Sequence, residues 1–290
     1  MMKYFPPSEL LINEDGSIFH LHLKPEQLAD NVILVGDPGR VATVASYFDS
    51  QECSVSNREF KSITGTYKSK RITVVSTGIG TDNIDIVLNE LDALANIDLE
   101  KRTEKPEFRQ LNIVRIGTSG AMQPEIPLGS FLISEKSLGF DGLLSFYAGR
   151  DKVCDLDFEE AFKKHVDWNP KLASPYVVDN DKELIERIGK NDMLKGVTIS
   201  ANGFYGPQGR VLRLDLHDSH LNDKIESFRH NGYKITNFEM ESSAIAGLSK
   251  LMGHKAMTVC CIIANRRIES ANTNYQPQIE KLIQLVLDRI

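Results

Sequence analysis

The feature that most constrains this chain is a series of short apolar runs, each closed by small residues. They read "NVILVG" (31–36), "RITVVSTG" (71–78), "LNIVRIG" (111–117), "SFLIS" (130–134), "GVTISANG" (196–203) and "MTVCCIIA" (257–264). Strands without polar alternation are buried on both faces, which requires a sheet covered by helices. Helical stripes lie between and after them. Val41, Val44, Ala45 and Phe48 share one face, as do Ile84, Val87, Leu88, Leu91 and Leu94. Ile279, Leu282, Ile283, Val286, Leu287 and Ile290 form a C-terminal amphipathic helix. The pattern predicts a single α/β domain over residues 1–290, with a central mixed, largely parallel twisted sheet flanked by helices. Residues 1–17 read as an N-terminal extension. Segments 96–110, rich in charge, and 148–182, holding "DWNP" and "ASPY", read as surface excursions.

Charge narrows the function. The net charge of -6 and the lack of a basic block disfavour nucleic-acid binding, while a local basic pocket for a small anion stays open. No apolar run reaches the roughly 18 residues of a membrane span, and "MMKYFPPSEL" has no signal-peptide pattern. Cys53, Cys154, Cys260 and Cys261 form no CxxC pair, so reduced thiols in a cytoplasmic protein are expected. His20 and His22 in "FHLHL" lack acidic or Cys partners at metal-binding spacing.

In open α/β sheets ligands bind beyond the carboxyl ends of strands, and three such ends are chemically unusual. In "VGDPGR", Gly36 closes a strand, Asp37 and Pro38 suit a helix start, and Arg40 lies one turn in. That is an anion site or a plain strand–turn–helix joint. "STGIGTDN" has Gly78 and Gly80 but matches neither a full GxGxxG nor a P-loop. In "RIGTSGAM", Arg115 interrupts an apolar run just before an expected turn with Thr118, Ser119, Gly117 and Gly120. A buried guanidinium needs a partner, either a phosphate or an internal carboxylate.

Two later stretches carry other chemistry. "GFYGPQGR" offers the ring of Phe204, the amide of Gln208 and the guanidinium of Arg210, suited to a flat heterocycle or to a surface turn. "NFEMESSAIAGL" places Glu239 and Glu241 before a helix, either for the helix dipole or to accept hydrogen bonds from sugar hydroxyls beside Met240.

The order "FHL", "GDPGR", "SNREF", "STGIG", "RIGTSGAMQP", "FYGPQGR", "NFEMES", "IIANR" resembles that of uridine phosphorylases, in the nucleoside phosphorylase superfamily. The resemblance covers about residues 18–268. It implies reversible phosphorolysis of uridine to uracil and ribose 1-phosphate in pyrimidine salvage, with inorganic phosphate as co-substrate and no cofactor. Phosphate would be held by Gly36, Arg40, Arg115 and Thr118, and by Arg58 from a neighbouring subunit. Ribose would be held by Glu239, Met240 and Glu241, with His20 from the neighbour. Ser119, Gly120, Phe204, Gln208 and Arg210 would hold the base. Shared sites imply a homo-oligomer, dimer or hexamer.

Purine enzymes of the superfamily use an aspartate where this chain has Asn265 and Arg266, which favours pyrimidine. Asn83 departs from a serine that helps place a monovalent cation near Glu59 and Ile79 in a bacterial relative, so that ion is in question. The alternatives are a purine nucleoside phosphorylase, a nucleosidase, or a non-catalytic nucleoside-binding oligomer.

Overall fold

The computed structural model describes residues 3–290. Its strands are β1 (Asn31–Val35), β2 (Ser50–Asn57), β3 (Phe60–Tyr67), β4 (Lys70–Ser76), β5 (Ile97–Asp98), β6 (Thr103–Glu104) and β7 (Asn112–Ala121), followed by β8 (Phe131–Gly139), β9 (Tyr176–Asp179), β10 (Leu194–Ser200), β11 (Arg229–His230), β12 (Tyr233–Glu239), β13 (Lys255–Asn265) and β14 (Ser270–Ala271). The helices are α1 (Pro38–Ala45), α2 (Thr81–Asn96), α3 (Arg150–Val153), α4 (Leu156–Val166), α5 (Lys182–Gly189), α6 (Leu221–Ser227), α7 (Ser242–Met252) and α8 (Gln276–Arg289).

The sheet runs β11-β12-β10-β8-β13-β7-β1-β4-β3-β2. Strands β4, β1, β7 and β13 pair in parallel, as do β8, β10 and β12, and the two groups meet antiparallel at β13–β8. The sheet also closes on itself. The end of β7 pairs with β12, Phe238 opposite Gly120 and Asn237 opposite Ala121. Register shifts in β10 and β13 bend those strands toward closure. Gly196 permits the approach, since a Cβ there would lie 2.2 Å from the Thr236 methyl. The architecture is therefore part sheet and part barrel, flanked by helices. The face with α2 and α7 buries Ile84, Leu88, Leu91, Ile245 and Leu248, and the opposite face buries Val41, Ile188, Leu282 and Val286 from α1, α5 and α8.

Two expectations are corrected here. The expected turn after Arg115 is not a turn: Gly117–Ala121 stay in β7, because β13 pairs along them and β12 takes the far end. Segment 148–182 is not a surface excursion along its length. Its last strand, β9, adds to β8 and buries Tyr176, Val177 and Val178 completely. Phe158, Phe162 and Val166 of α4 are also fully buried. The charged residues of "DFEEAFKKHV" conceal this one apolar stripe. Segment 96–110 is exposed or half-buried around β5 and β6 apart from the buried Leu99, and the N-terminal extension bonds to it, Phe5 N–H donating to Arg102 C=O at 2.8 Å.

Phe162→Ala should cost about 3–5 kcal/mol of unfolding free energy, against about 0.5 for a surface site. Chemical denaturation monitored by circular dichroism measures this directly.

Candidate active site

The carboxyl ends of β1, β4, β7 and β12, together with the end of β13 and the loop after it, border one cleft of about 1100 Å³. Gly36, Arg40, Arg115, Thr118, Ser119, Gly120, Phe204, Gln208, Arg210, Glu239, Met240 and Glu241 all line it, although they span two hundred residues of chain. His20 and Arg58 do not line it. Of the residues considered for a cation, Ile79 lines the cleft, whereas Asn83 Nδ2 packs against Gly78 near Glu59. Among the described residues no group of three His, Cys, Asp or Glu is placed to hold a metal ion.

At the floor Arg115 is 5% exposed. Its partner is internal: Nη2 donates to Glu241, and Nη1 lies 3.1 Å from Glu239 Oε2. Of the two partners the sequence left open, phosphate or an internal carboxylate, the carboxylate is present. Gly117 makes room, since a Cβ there would lie 2.1 Å from Arg115 Nη1. Burial works against the cation, but Glu241 and then Glu239 outweigh it and raise the Arg115 pKa.

The two carboxylates have different tasks. Glu239 accepts from Ser200 Oγ at 2.6 Å, and from the backbone N–H of Glu241 and of Ser242 at 2.9 Å each. It thus satisfies donors at the start of α7, which would otherwise be orphaned. Glu241 accepts from Gly80 N–H at 2.8 Å and from Arg115, and is less enclosed by other donors. One guanidinium serves two buried carboxylates, so a negative charge is left over. Burial, opposed by Arg115 and reinforced by Glu239, pushes the Glu241 carboxyl up to about 7.

Arg40 stands at the first turn of α1, which Asp37 caps through Gly39 N–H at 2.8 Å. Its Nη1 reaches only the Ile116 carbonyl, at 3.4 Å. Burial and then the like charge of Arg115 lower its pKa. Ser119 Oγ is held by Asn237 Nδ2 at 3.0 Å. Cys260 lies 3.7 Å from Arg115 Nη1, and burial pushes its thiol up to about 12, which makes it an inert wall.

At the other end, Gln208 Oε1 accepts from Arg210 Nη1 at 2.7 Å and from Arg266 Nη2 at 2.9 Å. The Arg210 guanidinium sits 3.6 Å from the Phe204 ring centroid, so it covers one face of that ring. Burial lowers the Arg210 pKa; burial and then Arg210 bring Arg266 down to about 10. Arg266 Nη1 is buried without a partner. Arg40, Arg210 and Arg266 have no carboxylate at ion-pair distance among the described residues. The site residues that motif reading did not assign are Arg266, Asn237, Ser200 and the 269–275 loop. Arg266, in "IIANR", and Asn237, which opens "NFEMES", left a trace in the sequence.

A strand-end cleft whose guanidiniums at both ends lack a carboxylate, with carboxylates between them, suits an anion and a polar, hydroxylated ligand. The profile of the phosphorylase superfamily matches residues 30–289, and the chain belongs to that superfamily. Among its relatives are the uridine phosphorylase of Escherichia coli, 30% identical over 91% of this chain and 93% of that protein, and that of Thermococcus kodakarensis, 29% identical over 92% and 84%. A Trypanosoma brucei nucleoside phosphorylase with uridine phosphorylase activity superposes with a TM-score of 0.88, at 28% identity, covering 97% of this chain and 98% of the other.

With Glu241 titrating near 7 when folded and near its ordinary 4.5 when unfolded, the folded state retains a proton between those values that the unfolded chain has lost. Stability therefore falls as pH rises through that window and levels off above it. Urea midpoints of wild type minus Glu241→Gln, taken from pH 5 to 8, should show that negative slope; a positive one contradicts it.

Proposed function

We propose that this chain is a uridine phosphorylase, catalysing reversible phosphorolysis of uridine to uracil and ribose 1-phosphate. The observation that carries this is the placement of cations without counter-ions at both ends of one cleft, in a chain of net charge -6. Arg40, with Gly36, Arg115 and Thr118, suits phosphate. Glu241, with Met240, suits the sugar hydroxyls, and Glu239 supports both from beneath. Gln208, Arg210 and Arg266 suit the carbonyl edge of uracil, with Ser119, Gly120 and Phe204 around the ring.

The chemistry requires no nucleophilic side chain. A phosphate oxygen attacks the anomeric carbon as the glycosidic bond breaks, and its electron pair leaves on uracil. The protein orients phosphate below the sugar and compensates charge at both ends. Negative charge grows on the uracil oxygens during the step. Guanidiniums aimed there favour the transition state over the ground state. Arg115 must be shared: its hold on Glu241 leaves it within the cleft beside the residues that would hold phosphate.

Asn265 supports the pyrimidine reading. It is fully buried, and its Nδ2 donates to the carbonyls of Gln123 and Ile126 at 3.0 Å each. A side chain spent on structure offers no acid to a purine ring. A second observation supports shared sites in a homo-oligomer, dimer or hexamer. His20 and Arg58, absent from their own cleft, gather on one outer patch. Asn57 Nδ2 donates to the His20 carbonyl at 2.8 Å, and the Arg58 guanidinium lies 5.8 Å from the Phe19 ring centroid. Among the described residues no helix is long and apolar enough to cross a membrane. The four thiols are free, which suits the cytoplasm.

Purified protein should release uracil from uridine only with phosphate and leave inosine nearly untouched, as read by chromatography. Cleavage of inosine in preference to uridine, or cleavage without phosphate, overturns the reading. Arg210→Ala should lower kcat by about 10²–10³. Arg40→Ala should act chiefly on the KM for phosphate, measured by initial rates against phosphate concentration.

A further inference from the structure

The His20 ring is held by two aromatic neighbours and one carboxylate. It meets Phe19 edge-on with centroids 4.8 Å apart and Phe60 at 6.3 Å. Its carbonyl is fixed by Asn57. Its Nδ1 lies 2.7 Å from Glu90 Oε1, and the same carboxylate accepts the backbone N–H of His20 at 2.9 Å and of Leu21 at 2.8 Å. The Glu90 side chain is 12% exposed and the His20 side chain 23%. Nε2 makes no hydrogen bond among the described residues.

A carboxylate facing Nδ1 is an acceptor, so Nδ1 carries the proton and neutral imidazole keeps a lone pair on Nε2. A ring whose other nitrogen is anchored this way is preset in orientation and tautomer, as for metal-binding histidines backed by carboxylates. Glu90 is on α2, whose preceding residue, Gly80, donates its N–H to Glu241 in this chain's own cleft. One rigid helix thus borders the cleft at its start and fixes His20 more than two turns later. The sequence gives no hint of this, because Glu90 is simply a polar position beside the Leu88 and Leu91 stripe.

We propose that Glu90 is the positioning residue for His20, setting its ring so that Nε2 accepts a hydrogen bond from a sugar hydroxyl in the neighbouring subunit's cleft. This rests on the reading that His20 reaches that sugar. Glu90 touches no substrate; it acts through His20 alone.

The test is uridine saturation kinetics at saturating phosphate for His20→Ala, Glu90→Ala, Glu90→Gln and the His20→Ala/Glu90→Ala double variant. Loss of one oriented hydrogen bond predicts about a tenfold rise in KM for His20→Ala. Glu90→Ala should give a comparable rise with kcat within about threefold, and Glu90→Gln, which retains an acceptor oxygen, a smaller one. The double variant should be no worse than His20→Ala, because coupled residues are not additive. A merely structural Glu90 would add its own loss in the His20→Ala background, and that additivity overturns the proposal. If His20→Ala leaves the KM for uridine unchanged, the proposal falls together with the shared-site reading. Additivity alongside a clear His20→Ala effect sinks only the role of Glu90.

Discussion

The ion cluster of Arg115, Glu239 and Glu241 organises the rest of the site. Arg115 comes from the middle of β7, and both carboxylates come from the junction of β12 and α7. Removing Arg115 would leave two carboxylates uncompensated in a dry interior, typically a loss of about 3–5 kcal/mol. The cluster therefore clasps β7 to β12 near the place where their pairing closes the barrel. Glu239 extends the clasp through Ser200 to β10 and to the first backbone donors of α7. Glu241 extends it to Gly80, at the start of α2. Five separate elements thus converge on three side chains.

The same arithmetic of charge explains the ligand side. Away from the cleft several arginines of this acidic chain find carboxylates, as Arg71 does with Glu52 and Arg289 with Asp192. Around the cleft, Arg40, Arg210 and Arg266 do not. Burial lowers the pKa of each, a sign that solvent has been stripped from these cations without an anion to replace it. On the proposed function, an incoming phosphate, or a base leaving with negative charge, would supply what is missing.

Much of the site was legible because its chemistry sits in short local motifs. "GDPGR", "FYGPQGR" and "NFEMES" each carry their functional groups within a few residues, and all of them border the cleft. Other parts were hidden. Ser200 is an ordinary strand residue whose value lies in what it touches. Arg115 was visible as an anomaly, but not its double carboxylate partner, more than 120 residues away. Segment 148–182 misled because one apolar stripe in α4 is diluted by charge, and β9 is only four residues long.

By itself, the sequence determined the alternation of buried strands and amphipathic helices, since hydrophobic period is a local property. It also determined the residue types needed for an anion, a sugar and a flat base. Tertiary structure alone decided that β7 runs straight through its glycines to pair with β12. It alone tied Glu239 to Ser200 and the start of α7 and Glu241 to Gly80 and Arg115, and it kept His20 and Arg58 apart from their own cleft. These outcomes depend on which groups meet after distant strands pair. Burial and charge compensation act through space, and the linear order of residues does not record that distance.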